Sequence, residues 1–371
     1  MHIHYQPDRH PCPGPGGAER RSQAPARQEG RERKAIENLI DITLLLFMVA
    51  IGLTLVRLRD LFSVAMLFGI FSLLAAALYV VQDAVDVAFT EAAVGAGIST
   101  VLILATLALT TSEEKAPPGR ALGALAVVLV TGAALIYGTL DMPAYGDPAA
   151  PIHQHVVPRY IERSAAEIGV PNIVTSVLAS YRGYDTLGEV TVIFTAAAGV
   201  LALLGRRRGR VGIVDSLQVR QDARKDGEVP RSVLAPKPIL RVVSKLLMPL
   251  ILLFALYVQF HGDFGPGGGF QAGVIFGSAF ILYALIFGAH NARQVIPAAV
   301  RRAGLGAGLL LYALVGVAGL LMGGRYLNYA VLADEPTHGQ HLGIMLIEFG
   351  VGTTVAAAMI IIFFVFSGQD R

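Results

Sequence analysis

Cysteine, tryptophan and charged side chains are all scarce in this chain. Cys12 is the single cysteine among 371 residues, and one thiol cannot form an internal disulfide, a multi-cysteine zinc site or an iron–sulfur centre. The chain by itself should therefore not carry electrons, and we also predict no cofactor and no bound metal ion. Tryptophan is absent, so tyrosine and phenylalanine must anchor any helix at a membrane interface.

The low charge content indicates a membrane protein. Charged residues make up 15% of the chain and hydrophobic residues 54%, whereas a soluble domain carries roughly a quarter charged residues. Apolar runs near the ~20 residues that cross a bilayer recur, and they must be helical because an open strand leaves backbone groups unsatisfied in lipid. The sequence predicts an all-α polytopic membrane protein with about nine transmembrane helices. The predicted spans are 39–56, 61–81, 87–109, 121–140, 188–205, 239–259, 270–289, 303–323 and 342–366.

Lysine and arginine crowd into alternate loops, whereas the turns around 82–86 and 261–269 contain neither. The positive-inside rule therefore predicts an N-terminus outside and a C-terminus inside. The pI of about 9.0 follows from these loops, and no nucleic-acid partner is expected because no basic patch is interleaved with aromatic residues.

Residues 1–35 are arginine-rich and broken by proline and glycine, which predicts a disordered basic tail. Residues 206–236 form a predicted polar linker.

Carboxylates inside the predicted spans are candidates for function, because a charge at the centre of a membrane helix costs at least about 2.5–3.5 kcal/mol. Asp86 opens the third helix, where it would cap the helix and complement its dipole. Glu91 lies more than a turn further in, and the small residues that follow it allow another helix to come close. A carboxyl group in that setting could hold and release a proton.

The fifth and last helices carry further candidates. Asp185 and Glu189 are four residues apart and share a helix face, where they could hold sodium or a proton. Alternatively, Thr186 and Glu189 fit a capping box. Glu348 lies in the last helix beside glycines, and Lys245 would snorkel to the inside surface or pair with a carboxylate. The predicted ion and proton path comprises Glu91, Asp185, Glu189, Asp86, Glu348 and Lys245.

The segment "FHGDFGPGGGFQAG" (260–273) separates two apolar runs. It lacks the Gly-Lys-Ser/Thr of a P-loop, which excludes nucleotide binding. It is either a tight turn or a bare backbone that a neighbouring chain approaches, with N–H groups exposed at the start of the next helix and His261 and Asp263 lining an aqueous mouth outside. The turn residues singled out are His261, Asp263, Pro266, Gly267, Gly268 and Gly269.

His338 and His341 lie near acids in "DEPTHGQH", but a loop at a helix start collects such residues, so we predict no metal site there.

Several stretches resemble a known family. "HGDFGPGGGFQAGVIFGSAFILYALIFG" is similar to the signature turn of the B subunit of Mrp-type sodium/proton antiporters (MnhB), and the resemblance continues through "IEFGVG" to the C-terminus. "VDVAFTEAAVGAGISTVLI" and "PNIVTSVLASYRGYDTLGEVTVIFTAAAGV" resemble the C-terminal extension of the A subunit in that antiporter, and two small subunits of membrane-bound hydrogenases. The resemblance implies three fused modules: a three-helix module at 36–115, a two-helix module with a long outer loop at 116–205, and a four-helix module at 237–371.

The resemblance implies a transporter subunit rather than an enzyme, in a bacterial inner membrane and working on Na+ and H+. The implied partners are the antiporter's C, D, E, F, G and A-like subunits, besides membrane lipid. Glu91, Asp185 and Glu189 fall on acidic positions of the family, whereas Asp263 stands where many relatives have a second histidine. Two alternatives stay open: the ion-translocating arm of a hydrogenase or related oxidoreductase complex, and an assembly scaffold that transports nothing.

Overall fold

A computed structural model describes residues 19–107, 110, 112–114, 121–144, 146–205 and 238–367. The predicted polar linker at 206–236 lies outside these residues, as does most of the predicted tail. The first helix begins at Glu19, inside the segment predicted to be disordered. Residues of high helix propensity, namely Arg, Ala, Gln and Glu, predominate over 19–35 and account for this difference.

Within the described residues, nine helices are long and apolar enough to cross a membrane. This agrees with the predicted number, and the chain is an all-α multi-pass membrane protein. The nine are α1 (Glu19–Leu55), α2 (Leu61–Val81), α3 (Val85–Leu107), α4 (Ala121–Thr139), α5 (Gly183–Leu204), α6 (Pro238–His261), α7 (Gly269–Phe287), α8 (Ala298–Leu321) and α9 (Pro336–Phe366). Shorter helices at Val157–Glu167 and Ile173–Thr175 occupy the long segment before α5.

Three helices begin five or six residues earlier than predicted: α5 at Gly183, α8 at Ala298 and α9 at Pro336. Hydropathy marks only the part of a helix that lies in hydrocarbon, whereas backbone hydrogen bonding continues into the polar boundary. The extra turns decide where the acidic side chains lie relative to each helix start, and so they bear directly on the site.

The long final helix α9 forms the centre of the fold and packs against α5, α7 and α8. Its buried side chains include Ile344, Ile347 and Val355. Glycine residues permit a close approach of the α7 and α9 backbones. A Cβ on Gly273 of α7 would lie 2.6 Å from the carbonyl oxygen of Gly352 in α9. Backbone contact of this kind stabilises helix association in lipid, where no hydrophobic effect drives helices together.

Two helices leave most of their surface uncovered. In α4, every residue from 122 to 139 except Gly132 is exposed, and none of the most apolar window of 35–55 in α1 is buried. Apolar surface of this kind requires lipid or another protein chain around it.

Candidate functional site

The glycine turn, residues 262–268, holds α7 against α9. Gly268 has φ +117°, a conformation that favours glycine because other residues have a Cβ. A Cβ on Gly269 would overlap the carbonyl oxygen of Glu348. The N–H of Gly269 donates a hydrogen bond to the Glu348 carboxylate, so an acid from α9 caps the first turn of α7. The bare backbone of the close-approach hypothesis is present, and α9 of the same chain is what approaches it. The predicted exposed N–H is wrong for Gly269, which is buried with its N–H bonded to Glu348.

Asn172 fastens the glycine turn to the segment that precedes α5. Its side-chain amide donates to the carbonyl oxygens of Gly262 at 3.1 Å and Gly265 at 3.0 Å, and its backbone N–H donates to that of Asp263 at 3.0 Å. The same amide lies 3.4 Å from the Asp86 carboxylate of α3. The buried side chain of Asn172 therefore connects the glycine turn, the start of α3 and the short helix Ile173–Thr175.

A first cavity, here called the turn cavity, has a volume of about 440 Å³. Its polar lining comes from Gln259, Asp263, His341 and Glu348. His341 Nδ1 lies 2.9 Å from Asp263 Oδ2. Burial raises the pKa of the Asp263 carboxyl above its ordinary value, and the neighbouring His341 partly offsets this rise.

A second cavity, here called the acid cavity, has a volume of about 550 Å³ and lies between α3 and α5, with α7 and α9 behind it. Its polar lining is supplied by Asp86, Thr90, Thr175, Thr186, Glu189, Gln271 and Glu348. Gln271 donates to Thr90 at 2.7 Å, which joins α7 to α3. Carboxylate, hydroxyl and amide oxygens are the ligands that hard cations prefer, and they also support water and proton movement.

Glu348 lines both cavities. It therefore stands between the Asp263–His341 pair on one side and the group around Glu189 on the other. Glu189 is six residues into α5, or about 9 Å along the helix axis, so the acid cavity lies towards the N-terminal end of that helix rather than at its middle. Each cavity exceeds the roughly 30 Å³ that one water molecule occupies in the liquid.

Glu91 is not among the residues that line either cavity. Its carboxylate folds back against Gly95, where a Cβ would meet it, and that position is also close to Ser72 of α2. Glu91 precedes a π-helical segment, Ala92–Ser99. Such segments are rare and frequently occur at functional sites. The structure thus places Glu91 at the α2–α3 contact, apart from Glu189 and Glu348.

The structure does not support the helix caps predicted for α5 and α3. Helix α5 begins at Gly183 with Arg182 at its N-cap, so the proposed capping box at Thr186 is wrong, and the Thr186 hydroxyl instead donates to the carbonyl oxygen of Leu178 at 2.8 Å. The predicted cap role of Asp86 is wrong as well, because the N-cap position of α3 is Ala84 without a side-chain hydrogen bond. Asp86 lies in the first turn, where its charge still complements the helix dipole.

The remaining path candidates lie outside the two cavities. Asp185 forms an exposed ion pair with Arg182 at 2.5 Å. Lys245 is exposed and lies 5.7 Å from the centre of the Phe287 ring, a cation–π contact rather than a pairing with a carboxylate. The prediction that His261 lines an aqueous mouth beside Asp263 is wrong: His261 lines neither cavity and stacks on Tyr257, with ring centroids 4.9 Å apart.

The two histidines of "DEPTHGQH" pair with different acids. His338 lies 3.3 Å from Glu335, whereas His341 turns to Asp263. Across the part of the chain that the structure describes, no group of three or more His, Cys, Asp or Glu side chains is arranged to hold a metal ion.

Asn172, Thr90 and Gln271 were missed by reasoning from the sequence. They are neutral and carry no membrane penalty comparable with that of a charge. A signal was available for Asn172, which accepts a hydrogen bond from Val174 as the N-cap of the helix that follows. The hydrogen bonds that Asn172 and Gln271 form across the fold join residues that are more than eighty positions apart in sequence.

Comparison with known proteins assigns this arrangement to a family. Residues 239–361 match the model described as a domain related to the MnhB subunit of Na+/H+ antiporter. Residues 46–112 match the model of the MBH D subunit, and residues 120–222 match that of the MBH E subunit. A putative antiporter subunit mnhB2 of Staphylococcus haemolyticus is 32% identical over 136 residues, which cover 35% of this chain and 94% of that relative. The chain belongs to the MnhB-related family of antiporter subunits.

Two longer relatives match most of the chain. A probable K(+)/H(+) antiporter A/B subunit of Rhizobium meliloti is 27% identical over 242 residues, which are 63% of this chain and 24% of that protein. The solved structure of the Mrp complex from Dietzia sp. DQ12-45-1b aligns with a TM-score of 0.69 and 26% identity over 89% of this chain and 35% of that one. The chain thus spans about a quarter of the A/B relative and combines an MnhB-related domain with the two MBH-type domains in one fused Mrp-type subunit.

Proposed function

We propose that this chain is a membrane subunit of a multi-chain antiporter that exchanges a monovalent cation, Na+ in the first instance, for protons. Its partners are the other subunits of an Mrp-type complex, namely C, D, E, F, G and an A-like chain, and its membrane is the bacterial inner membrane. It moves ions rather than catalysing a chemical conversion. The names of the antiporter relatives and the Mrp complex match support this assignment.

One observation carries the mechanistic proposal: Glu348 lines both the turn cavity and the acid cavity. A proton taken up at the Asp263–His341 pair would pass to Glu348 and from there to the group around Glu189. Asp86 and Glu189 supply the oxygens that exchange this proton for a cation. A nearby cation favours the ionised carboxylate, whereas low polarity disfavours it, and this opposition couples the two ions.

In the predicted topology, the pathway opens towards the outer side of the membrane. With an N-terminus outside and nine crossings, α3, α5, α7 and α9 all begin on the outer side, together with the glycine turn and the Asp263–His341 pair. In this arrangement the turn cavity is the outer mouth. Glu91 sits at a separate contact with α2, and we propose that it belongs to a second path, which a partner chain completes along the exposed surface of α1, the helix that packs on α2.

The test uses the native complex reconstituted in vesicles, with Glu348→Gln as the principal variant. A glutamine keeps a hydrogen-bond acceptor for Gly269 but cannot carry a proton. We expect Na+-dependent proton movement to fall by roughly 100-fold, the scale of a lost proton-transfer group, while complex assembly is unchanged. Asp185→Asn, which alters an exposed ion pair, is the matched control and should retain transport. Normal transport in Glu348→Gln would favour the scaffold interpretation instead.

The MBH-type domains favour a second candidate, the ion-translocating arm of a redox-driven complex. The two candidates differ in their partner subunits. Purification of the native complex followed by mass spectrometry and metal analysis separates them: antiporter-type subunits without nickel or iron support the first, and stoichiometric iron–sulfur or nickel subunits support the second.

A further inference from the structure

The chain interrupts its helical course just before α5. A π-helical segment, Ser176–Tyr181, continues the short helix Ile173–Thr175, and α5 begins at Gly183. Arg182 between them has φ −121° and ψ 31°, outside the helical range. An interruption of this kind takes carbonyl oxygens out of regular helical hydrogen bonding, so other donors have to satisfy them.

Two buried tyrosines supply such donors, and we call them together the tyrosine clamp. The hydroxyl of Tyr312, in α8, donates to the carbonyl oxygen of Gly183 at 2.8 Å. The hydroxyl of Tyr329 donates to the carbonyl oxygen of Ala179 at 3.1 Å. Both tyrosines are 0% exposed, and a tyrosine hydroxyl that is buried usually has a hydrogen-bond partner. A Cβ on Gly183 would lie 3.2 Å from the Tyr329 hydroxyl oxygen, so both hydroxyl groups lie close to the first residue of α5.

The clamped segment forms one wall of the acid cavity. Thr175, Leu178, Thr186 and Glu189 all line that cavity. The Thr186 hydroxyl donates to the carbonyl oxygen of Leu178 at 2.8 Å, which ties the π-helical segment to the first turns of α5. Glu189 lies about 9 Å along the helix axis from Gly183. Because a helix of this length moves as a unit, any displacement of its start also displaces Glu189.

The clamp connects two domains of the chain. Both tyrosines belong to the MnhB-related residues 239–361, whereas the start of α5 belongs to the MBH E-type residues 120–222. A third contact joins the same two parts, since the hydroxyl of Ser180 donates to the side chain of buried Gln340, in α9, at 2.8 Å. The MnhB-related domain therefore holds in place the helix of the other domain that carries Glu189.

We propose that Tyr312 and Tyr329 are positioning residues for cation binding in the acid cavity. They do not touch the ion. They fix the start of α5, and this keeps the Glu189 carboxylate directed towards the cavity that Asp86 and Glu348 also line. A displacement of about 1 Å at a site can cost about 100-fold in activity, so two hydrogen bonds far from the ion can control its binding. The inference rests on the proposed function, because it takes the acid cavity as the cation site.

The experiment uses the native complex reconstituted in vesicles. The rate of Na+-dependent proton movement is measured against Na+ concentration and expressed per assembled complex. In the double variant Tyr312→Phe/Tyr329→Phe, which keeps both rings and removes both hydroxyls, the KM for Na+ should rise by about tenfold, the scale of one or two lost hydrogen bonds. The maximal rate should stay within about twofold, as expected when binding alone is weakened.

Tyr326→Phe is the matched control. The Tyr326 hydroxyl donates to the carbonyl oxygen of Ala313, in α8, at 3.4 Å and not to α5. Phenylalanine keeps the ring contact with Tyr184 of α5, whose centroid lies 5.6 Å away. We expect an unchanged KM for Na+. A rise equal to that of the double variant would overturn the proposal, because the loss of any nearby hydroxyl would then have the same effect.

A substitution on the other side of the contact tests the clamp without removing a tyrosine. Gly183→Ala brings a Cβ to within 3.2 Å of the Tyr329 hydroxyl oxygen. It should raise the KM for Na+ in the otherwise unchanged complex and add nothing further in the Tyr329→Phe background, where that hydroxyl is gone. Residues in contact show such non-additive effects. Additive effects would contradict the clamp.

Glu189→Gln, measured in parallel, separates this inference from the proposed function. If Glu189→Gln changes the Na+ dependence while the double tyrosine variant lowers only the yield of complex and leaves the KM unchanged, the tyrosines have a purely structural role. The clamp is then refuted and the transport proposal stands. If Glu189→Gln also leaves the Na+ dependence unchanged, the acid cavity is not the cation site and both proposals fail.

Discussion

The carboxylate of Glu348 accepts a hydrogen bond from the backbone N–H of Gly269, so the last membrane helix caps the seventh. A negative charge at a helix start is stabilised by the unsatisfied N–H groups and the helix dipole. The same carboxylate lines two cavities. One side chain thus has a structural role and a position suited to proton transfer, and substitutions can separate the two.

Glu348→Ala should destabilise the complex more than Glu348→Gln. Glutamine retains an acceptor for the Gly269 N–H, whereas alanine leaves this donor unsatisfied, at a cost of about 0.5–2 kcal/mol for a lost cap. Thermal dissociation of the complex, followed by size-exclusion chromatography, measures the difference. Equal stability of the two variants would show that the cap contributes nothing.

Glu189→Gln and Asp185→Asn should differ although the residues are one helical turn apart. Glu189 lines the acid cavity, whereas Asp185 pairs with Arg182 at the surface. We expect the first change to lower vesicle transport by about tenfold or more, the scale of a lost proton-transfer group or ligand, and to shift its dependence on Na+ concentration. The second should stay within about twofold, since exposed ion pairs contribute little. Similar losses in both would argue against the acid cavity as the ion site.

Gly269→Ala should disrupt the contact between α7 and α9. The added Cβ would overlap the Glu348 carbonyl oxygen, and overpacking of this kind costs about 1–3 kcal/mol or more. Gly306→Ala is the matched control, because no atom lies within 4 Å of a Cβ built there. Yield and thermal stability of the purified complex are the measurements. A stable Gly269→Ala complex would mean that the helices are less closely packed.

Asp263 should make stability depend on pH. Its pKa in the folded protein is raised above the ordinary value of 3.8, chiefly by burial. The folded state therefore binds the proton more tightly, and the free energy of unfolding decreases as pH rises from 3.8 through the raised pKa. Asp263→Asn should flatten this part of the stability profile. Thermal unfolding across the acidic to neutral range tests it, and an unchanged slope in the variant would contradict the assignment.

Asn172→Ala should loosen the glycine turn. It removes the amide that donates to Gly262 and Gly265 and leaves these carbonyl oxygens without that donor, at a cost of about 1–3 kcal/mol. Asn291→Ala is a suitable control, because that exposed amide donates within its own stretch of chain, to the carbonyl oxygen of Phe287. Hydrogen exchange of the backbone N–H groups at 262–269 should increase in the first variant alone. Unchanged protection there would show that the turn holds its shape without Asn172.

Much of the architecture was predictable because lipid imposes a simple rule. A chain in hydrocarbon must satisfy its backbone internally, so runs of about 20 apolar residues reveal helices without any knowledge of their neighbours. The nine helices found among the described residues followed from that rule alone. Helix starts were less predictable, since α5 and α9 extend into the polar boundary where hydropathy gives no signal.

The candidate site was predictable only as a set of acids. The free-energy cost of placing a charge inside the membrane identifies Glu91, Glu189 and Glu348 equally as candidates. This cost is read from depth in the membrane and not from neighbouring residues. Their grouping depends on which helices touch. Packing of α9 against α5 and α7 brings Glu348 towards Glu189, whereas Glu91 faces Ser72 of α2.

The sequence by itself therefore determined the helical class, the number of crossings and the family, since these follow from local apolar runs and a continuous motif. Tertiary structure alone decided that Glu348 joins two cavities, that Asn172 fastens the glycine turn and that two buried tyrosines meet the start of α5. The physical reason is that close helix packing depends on small residues far apart in the chain, and hydropathy does not show which of them meet.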